Sequence, residues 1–295
     1  MVNLRDLRLR MRAIRQTLQV TKAMKLISTA KLRKGRRILS DVEPYFTRIQ
    51  KSMFDILSCA RMENSRYSPS ERQTKSRTAI IAITSDKGLA GGYNANVFRQ
   101  VNQLCAGATN PVLILIGSIG YRHFIHSPWL ILENFSFRSN LPELDAAKEI
   151  AEYVISQYLW GIFDEVHIVY THMYSSIKLV SRDRQVLPLD IQKLQEEFEL
   201  TTGKRKELQF EYLPSDEEVF DSLVPMYIKG IIYGCLIESY ASEQSSRISA
   251  MDEASKNADE ILANLQMHYN RVRQAGITQE MSEISGGAEA LGAKT

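Results

Sequence analysis

A glycine-rich turn is the first place in this chain to look for chemistry. Residues 85–93 read SDKGLAGGY and follow a short apolar run at 78–84, which is typical of a buried parallel strand. A turn of this kind holds nucleotide phosphates when it has G-x-G-x-x-G spacing or ends in G-K-[ST]. Gly88, Gly91 and Gly92 fit neither pattern. We therefore interpret them as a tight strand-to-helix turn and predict no nucleotide or other cofactor.

The other candidate groups lack the spacing of a catalytic or metal site. His167 and His172 are five residues apart, which puts them on no shared face of a strand. Cys59, Cys105 and Cys235 are widely separated and odd in number, so we expect reduced, partly buried thiols. The sequence therefore predicts no catalytic residue and no metal site.

These residues lie in a middle segment where predicted strands and helices alternate. The predicted strands are residues 78–84, 111–117 and 165–171, and the predicted helices are 94–105, 119–126 and 144–160. Alternation of this kind indicates an α/β fold, a Rossmann-like domain with a parallel sheet and helices on its faces. Polar residues 61–75 are a predicted linker, residues 192–206 a predicted loop, and residues 185–189 and 208–213 possible edge strands.

Both ends of the chain are predicted to be long helices. In residues 1–56, sixteen positions spaced alternately by three and four include twelve apolar residues: Leu4, Leu7, Met11, Ile14, Leu18, Thr21, Lys25, Ser28, Leu32, Gly35, Leu39, Val42, Phe46, Ile49, Met53 and Ile56. A second series has the same spacing: Ile237, Ala241, Gln244, Ile248, Met251, Ser255, Ala258, Leu262, Leu265, Tyr269 and Val272. Heptads sustained over this length predict a coiled coil. Pro44 is expected to weaken or kink the first helix, and Pro225 to lie in the first turn of the second or to break it.

The charges of the two ends are complementary. Residues 1–51 hold fourteen Lys and Arg against three Asp and Glu, whereas residues 209–285 hold five against thirteen. Opposite charges beside two apolar series favour pairing of these helices with each other over self-pairing. We therefore predict a long antiparallel coiled coil of the N- and C-terminal helices, and a mechanical or docking protein before an enzyme. Nucleic-acid binding by the basic helix is a weaker alternative.

The first apolar series is interrupted in one place. Thr21, Lys25, Ser28 and Gly35 occupy series positions, while nearby apolar residues fall at other positions: Val20, Met24, Ile27 and Ala30. Either the buried face rotates there and meets a different partner surface, or the series has a simple stutter within one coiled coil.

Four segments resemble the γ subunit of F-type ATP synthases. They are TKAMKLISTAKLRK (21–34), SDKGLAGGYNANV (85–97), ASEQSSRISAMDEASKNA (241–258) and YNRVRQAGITQEMSEISGGAEA (269–290). The resemblance covers the full length in the right order. It implies a non-catalytic central rotor shaft, with residues 1–60 and 214–285 as shaft helices, 61–77 as linker, 78–213 as foot domain and 286–295 as tip.

The same resemblance implies the partners. The shaft would turn inside a ring of three α and three β subunits, one copy per complex, with the ε subunit and the membrane c ring at the foot. Ion-driven rotation of the c ring would then take the β catalytic sites through their nucleotide affinities, for ATP synthesis or hydrolysis. No nucleic acid and no cofactor are implied.

Particular residues carry over from the family. Met24, Arg273, Gln274, Thr278 and Glu283 would contact the lower loops of the α/β ring. Three of them have a simpler interpretation: Met24 as a buried helix residue, and Arg273 and Glu283 as solvated side chains or partners of neighbouring helix residues. Tyr212 and Asp216 are expected near the foot and the c ring.

Composition sets the expected location. No stretch approaches the roughly twenty uninterrupted apolar residues of a membrane-spanning helix, and the N-terminus begins directly with heptads rather than a targeting segment. We expect a peripheral protein on the cytoplasmic side of a bacterial inner membrane, attached through the membrane sector, although a mature organellar chain would look similar.

Two other functions remain as alternatives. A nucleotide-binding enzyme with a helical arm that grips RNA needs a phosphate loop or catalytic motif in residues 78–190, and neither is found. A coiled-coil adaptor or chaperone would leave the ITQEMSEISGGAEA end unexplained.

Overall fold

The computed structural model describes residues 4–59, 65–68, 77–135, 141–175, 178–191, 194, 196 and 212–292, with side chains as far as residue 57 in the first range and residue 286 in the last. In chain order the elements are α1 Leu4–Cys59, β1 Thr78–Ile83, α2 Tyr93–Gly107, β2 Val112–Ile116, α3 Ser118–Phe124, β3 Leu130–Phe135, α4 Leu144–Leu159, β4 Glu165–Met173, β5 Leu179–Leu187 and α5 Asp216–Gly292. The predicted α/β fold class with two long terminal helices is confirmed. Most of the predicted linker and of the 192–206 loop, and residues 208–211 of the second possible edge strand, lie outside the described residues.

The sheet has five strands in the order β3-β2-β1-β4-β5. Strands β1 to β4 pair in parallel, and β4 pairs with β5 in antiparallel register. The central strands β1 and β2 are buried along their whole length, which explains why they read as uninterrupted apolar runs.

Two strands differ from the prediction. Strand β3 was not predicted, because Glu133 and Asn134 interrupt its apolar run and its burial is mixed. Strand β5 begins at Leu179, six residues before the predicted edge strand at 185–189. Both lie at the edges of the sheet, where a half-exposed strand carries a weaker sequence signal.

The chain forms two compact units. The paired-helix unit comprises Met1–Ser28 and Ile248–Thr295, and the sheet unit comprises Thr29–Arg247.

The sheet unit has an apolar core on each face of the sheet. One face packs against α2 and α3 through side chains such as Ile80, Leu113 and Phe124. The other face packs against α4 and against parts of α1 and α5, and its buried residues include Met53 of α1 and Ile228 of α5. The long helices are therefore part of the fold of this unit.

The paired-helix unit is an antiparallel pair. Residues early in α1 contact residues late in α5: Arg8 bonds to Tyr269, Thr21 meets Ser255, and Lys25 forms an ion pair with Asp252 at 2.5 Å. The order of these contacts confirms the predicted antiparallel pairing of opposite charges.

The buried face of α1 does not rotate at the interruption. Thr21 and Ser28 are buried at 7% and 2% exposure, whereas the apolar residues Val20 and Ile27 are 57% exposed. The first interpretation, a rotated seam, is therefore wrong: the heptad positions stay buried although their side chains are polar. The facing residues of α5 are small, and Ser255 and Ala258 are themselves buried. The two helices can therefore approach closely enough to bury short polar side chains at these heptad positions.

Neither proline ends a helix. Pro44 lies inside α1, which is continuous from Leu4 to Cys59. Pro225 is the tenth residue of α5, so both predicted roles for it, in the first turn or at a break, are wrong. A proline removes one backbone N–H donor from a helix and so weakens the turn around it. Packing of both helices against the core beside the sheet stabilises them in spite of this loss.

Helix α5 contains an 18-residue stretch with a mean hydropathy of 1.3 that meets the length and composition criteria for crossing a membrane. About 61% of that stretch is buried within the structure. Side chains such as Ile228, Ile232 and Leu236 belong to the core beside the sheet, which accounts for the hydropathy.

Candidate functional site

The glycine-rich turn connects β1 to α2 and is built as a tight turn. Leu89 and Gly91 have φ values of 62° and 55°, in the left-handed region. Asn94 closes the turn, since its Oδ1 accepts from the Ser85 N–H at 3.1 Å and its Nδ2 donates to the Ser85 hydroxyl at 2.7 Å. The interpretation as a strand-to-helix turn is therefore consistent with the geometry.

Arg247 of α5 holds this turn from one side. Its Nη2 donates to the carbonyl oxygens of Lys87 and Gly88 at 3.0 and 3.2 Å. The Ser246 hydroxyl donates to the Ala90 carbonyl at 2.6 Å. The turn thus presents carbonyl oxygens to α5, whereas a phosphate loop presents N–H groups to its ligand.

Arg247 is buried together with an acidic partner. Its Nη1 lies 2.6 Å from Oε1 of Glu243, one helical turn earlier, and the two side chains are 8% and 15% exposed. Burial raises the pKa of the Glu243 carboxyl, and the charge of Arg247 opposes that rise. Sequence reasoning missed this pair, because a Glu and an Arg four residues apart usually mark a solvated helix face.

The two candidate histidines lie on opposite faces of β4. His172 Nδ1 lies 2.5 Å from Oε1 of Glu238 on α5, and His167 Nε2 lies 3.8 Å from Oε2 of Glu165. Burial raises the pKa of the Glu238 carboxyl. His172 is thus a partner in a largely buried acid–base pair rather than an ordinary surface side chain. Among the described residues, no group of three or more His, Cys, Asp or Glu is placed to hold a metal ion.

The predicted C-terminal contact residues lie on one exposed stretch of α5. The paired part of this helix has its last half-buried side chain at Val272, and every side chain from Arg273 to Gly286 is exposed. The Thr278 hydroxyl donates to the Gln274 carbonyl at 3.0 Å, and Glu283 accepts from Gln279 at 2.9 Å. These bonds lie within the helix and leave its surface open.

Met24 lies apart from that stretch, half-buried on α1. Its neighbours Leu26 and Ile27 are 72% and 57% exposed. The structure therefore places Met24 between the buried face and an exposed apolar surface. This position is compatible with both interpretations, a buried helix residue and a residue that contacts the ring.

The paired-helix unit carries many large apolar side chains on its surface. Nine residues share this property, with exposures from 48% to 73%: Leu9, Val20, Leu26, Ile27, Ile261, Met267, Ile277, Met281 and Ile284. A concentration of exposed apolar side chains marks a surface that binds another macromolecule. Sequence reasoning placed Val20 and Ile27 on a rotated buried face that meets a different partner surface, whereas the structure leaves both side chains exposed.

The two predicted foot residues flank the start of α5. Tyr212 is half-buried and packs against the main core of the sheet unit. Asp216 is the first residue of α5 and is also half-buried. Between them, Leu213 is 82% exposed.

Comparison with known proteins gives consistent matches over the whole chain. The ATP synthase family model matches residues 3–291. The ATP synthase gamma chain of Acetivibrio thermocellus is 40% identical over 294 residues, covering 99% of this chain and 100% of the relative. The chain belongs to the ATP synthase gamma chain family. The resemblance read from its four segments is therefore confirmed, and the chain is a non-catalytic rotor subunit.

Other gamma chains and solved structures agree. The sodium-ion-specific gamma chain of Acetobacterium woodii is 38% identical over 305 residues, covering 98% of this chain and 99% of the relative. A chain from the central stalk and c ring of the Tetrahymena thermophila mitochondrial ATP synthase has a TM-score of 0.58 at 26% identity, covering 80% of this chain and 99% of its own length. A chain of the Euglena gracilis mitochondrial ATP synthase has a TM-score of 0.65 at 16% identity, with 98% and 95% coverage, and shows the same fold.

Proposed function

We propose that this gamma chain acts as the shaft that changes the conformations of the β catalytic sites as it turns inside the α/β ring. The observation that carries this proposal is the exposed stretch of α5 from Arg273 to Gly286, which follows directly on the paired part of the helix. A helix of this length with no buried face is marginal alone in water, so a surrounding partner surface explains its presence.

The sides of the paired-helix unit differ in chemistry. Lys22 and Lys25 form ion pairs with Asp259 and Asp252. Exposed apolar side chains such as Val20 and Ile27 lie elsewhere on the surface. A shaft shifts a conformational equilibrium only if it contacts the alternative conformations unequally, and a surface that differs around its axis does this at every angle.

Arg273, Gln274, Thr278 and Glu283 are the side chains we assign to contacts with the ring, together with Met24. All four C-terminal residues are exposed, and they combine one positive charge, one negative charge and two hydrogen-bonding groups. Polar contacts of this kind fix register at an interface more than they add affinity.

The remaining assignments concern the foot and the membrane. We assign residues 1–60 and 214–285 to the shaft, 61–77 to a linker, 78–213 to the foot and 286–295 to the tip. The foot would meet the ε subunit and the c ring near Tyr212 and Asp216, and the chain would lie on the cytoplasmic side of a bacterial inner membrane. The bacterial relatives and the solved central stalk with its c ring support these assignments.

The test is reconstitution with the α and β subunits of the same organism. The variant carries Cys59→Ser and Asn102→Cys, and the probe is attached at position 102, which is exposed on α2, while Cys105 and Cys235 are buried. We expect ATP-dependent rotation of the probe in one direction. A matched sample without ATP should show no directed rotation.

A different result would contradict the proposal. If the chain fails to join the α/β ring and instead binds nucleotide or RNA alone, the proposed shaft role is wrong. The residues around the glycine-rich turn would then be the place to search for that activity.

A further inference from the structure

A cavity of about 310 Å³ lies in the sheet unit where α1 and α5 meet the sheet. Its wall is formed by α1 between residues 39 and 50, by α5 between residues 227 and 238, by Tyr170 of β4 and by Arg184 of β5. An apolar cavity of about 150 Å³ is large enough to bind benzene, so this space suits a molecule of about two rings.

Two glycines of α5, one helical turn apart, shape this cavity. A Cβ at Gly230 would overlap the Phe46 ring, so the close approach of that ring requires a glycine there. Gly234 lies on the same side of the helix, and a Cβ there would meet no atom of the described residues within 4 Å. Glycine weakens the interior of a helix relative to alanine. Gly234 therefore leaves a space open at the expense of helix stability, without making room for a neighbouring side chain.

The wall of the cavity is rich in aromatic side chains. Phe46 of α1, Tyr170 of β4 and Tyr227 and Tyr233 of α5 all line it, and the three tyrosines are buried. The ring centroids of Phe46 and Tyr233 lie 6.3 Å apart, one on each long helix. Burial raises the pKa of the Tyr170 phenol to about 12, so this ring stays neutral at physiological pH. Small-molecule sites in proteins are typically lined by aromatic and aliphatic side chains of this kind.

The charged groups of the wall are engaged with the protein or with water. Oε1 of Glu238 lies 2.5 Å from Nδ1 of His172. Arg184 Nη2 donates to the Tyr227 hydroxyl at 3.5 Å. Glu43 is exposed, so water solvates its carboxylate. Burying an ionic ligand costs its hydration, and the wall therefore favours a neutral ligand.

We propose that this cavity binds a neutral aromatic molecule of about two rings, of the size of indole. The ligand would contact α1, α5 and the sheet at once, and it would stabilise the folded sheet unit because it binds only where these elements meet. Exposed Glu43 lies at the side of the wall that faces solvent, so a ligand can enter while the chain stays folded. The proposal does not depend on the shaft role, because its test measures binding and not rotation.

The test measures indole binding to the full-length chain by equilibrium dialysis. We expect one saturable site per chain. Gly234→Leu should weaken binding about ten-fold or more, because the leucine side chain and the ligand compete for the same volume. Gly276→Leu is the matched control in the isolated chain, since Gly276 is an exposed glycine of the same helix, and it should leave the affinity unchanged.

Alkylation of two buried cysteines locates the ligand without any substitution. Cys235 lines the cavity, whereas Cys105 belongs to the core on the other face of the sheet. At indole about ten times the Kd, alkylation of Cys235 should slow roughly ten-fold, because only the chains without ligand react. Alkylation of Cys105 should change little. Thermal unfolding checks that Gly234→Leu is folded, and if it is not, the comparison of the two cysteines decides alone.

Three results would overturn the proposal. They are the lack of a saturable site, equal affinity of folded Gly234→Leu and the unchanged chain, and an unchanged ratio of the two alkylation rates on addition of indole. The dialysis is repeated with the chain assembled with its α and β subunits. If indole binds the isolated chain but not this complex, a neighbouring subunit covers the cavity and the ligand proposal is wrong.

Discussion

The side-chain hydroxyl oxygens of Thr21 and Ser255 lie 2.8 Å apart on the buried face between α1 and α5. Each hydroxyl also lies within bonding distance of a carbonyl of its own helix, Leu18 for Thr21 and Met251 for Ser255. Two hydroxyl hydrogens cannot serve all three contacts at once. The main effect of this pair is therefore to let the two helices approach closely, and the hydrogen bond between them is weak.

Close approach at Ser255 predicts that a large side chain there destabilises the paired-helix unit. Ser255 is 8% exposed, so a leucine has to push the facing helix away. We expect Ser255→Leu to lower the free energy of unfolding by about 1–3 kcal/mol, measured by denaturant titration. Ala263→Leu is the matched control at an exposed position of the same helix and should change stability little. Equal effects of the two substitutions would contradict the close packing.

Two glycines of α5 in the sheet unit should respond in opposite ways to alanine. A Cβ at Gly230 would overlap the Phe46 ring, whereas a Cβ at Gly234 meets nothing within 4 Å. Gly234→Ala should stabilise the chain by about 0.5–1 kcal/mol through helix propensity alone. Gly230→Ala should destabilise it by about 1–3 kcal/mol, because the ring has to move. Thermal unfolding of the two variants side by side tests the difference. Higher stability of both variants would contradict the prediction, because the Phe46 ring would then move without an energetic cost.

Loss of Arg247 should make the free energy of unfolding depend more strongly on pH. Arg247→Met leaves Glu243 buried without its cation, which costs about 3–5 kcal/mol near neutral pH. Burial already raises the pKa of Glu243, so the folded state binds its proton more tightly than the unfolded state. Stability then falls as pH rises from the ordinary glutamate pKa toward the raised one, and this fall should extend to higher pH in the variant. Denaturant titrations across the acid range measure how the free energy of unfolding changes with pH. The double variant Arg247→Met, Glu243→Gln should lack the additional loss of stability with rising pH.

The exposed end of α5 should be dispensable for folding and needed for coupling. Truncation after Gln274 removes side chains that are exposed as far as Gly286, so we expect a change in the free energy of unfolding below about 0.5 kcal/mol. The same truncation should lower the rotation rate in the reconstituted complex. Truncation after Ala263 is the contrasting variant, since it also removes Tyr269, which bonds to Arg8. If the shorter deletion destabilises the chain as much as the longer one, the end of α5 has a partner within the chain.

The two buried thiols should resist modification in the folded state. Burial raises the pKa of Cys105 to about 11 and that of Cys235 to about 12. The thiolate is the reactive form, so alkylation at pH 8 should be slow until the chain unfolds. Mass spectrometry of native and denatured samples gives the two rates. Rapid labelling of Cys235 in the native chain would show that its part of the core opens readily.

The terminal helices show how much of the structure could be predicted from the sequence. The heptad positions of both series are buried or half-buried in the structure, including the polar ones at Thr21, Ser28 and Gln244. The period alone carried that information, because a residue's face on a helix depends on its spacing and not on its polarity. The prediction failed where it weighed polarity above spacing, as at Val20.

The sheet unit contains features that could not be predicted from the sequence. The buried strands β1 and β2 are recognisable as apolar runs, but the edge strand β3 is not. The pairing of Arg247 with the turn at Lys87 and Gly88 joins residues about 160 positions apart. No local pattern encodes such a contact.

The amino-acid sequence by itself determined the two long helices, their antiparallel pairing, the α/β fold class and the family, because periodicity, charge and motif spacing are local properties of the chain. The tertiary structure alone decided which apolar side chains stay exposed, that Arg247 and Glu243 share a buried site, and that four aromatic side chains line one cavity. These outcomes depend on which surfaces meet when distant segments pack, and packing is settled by shape and burial across the whole fold.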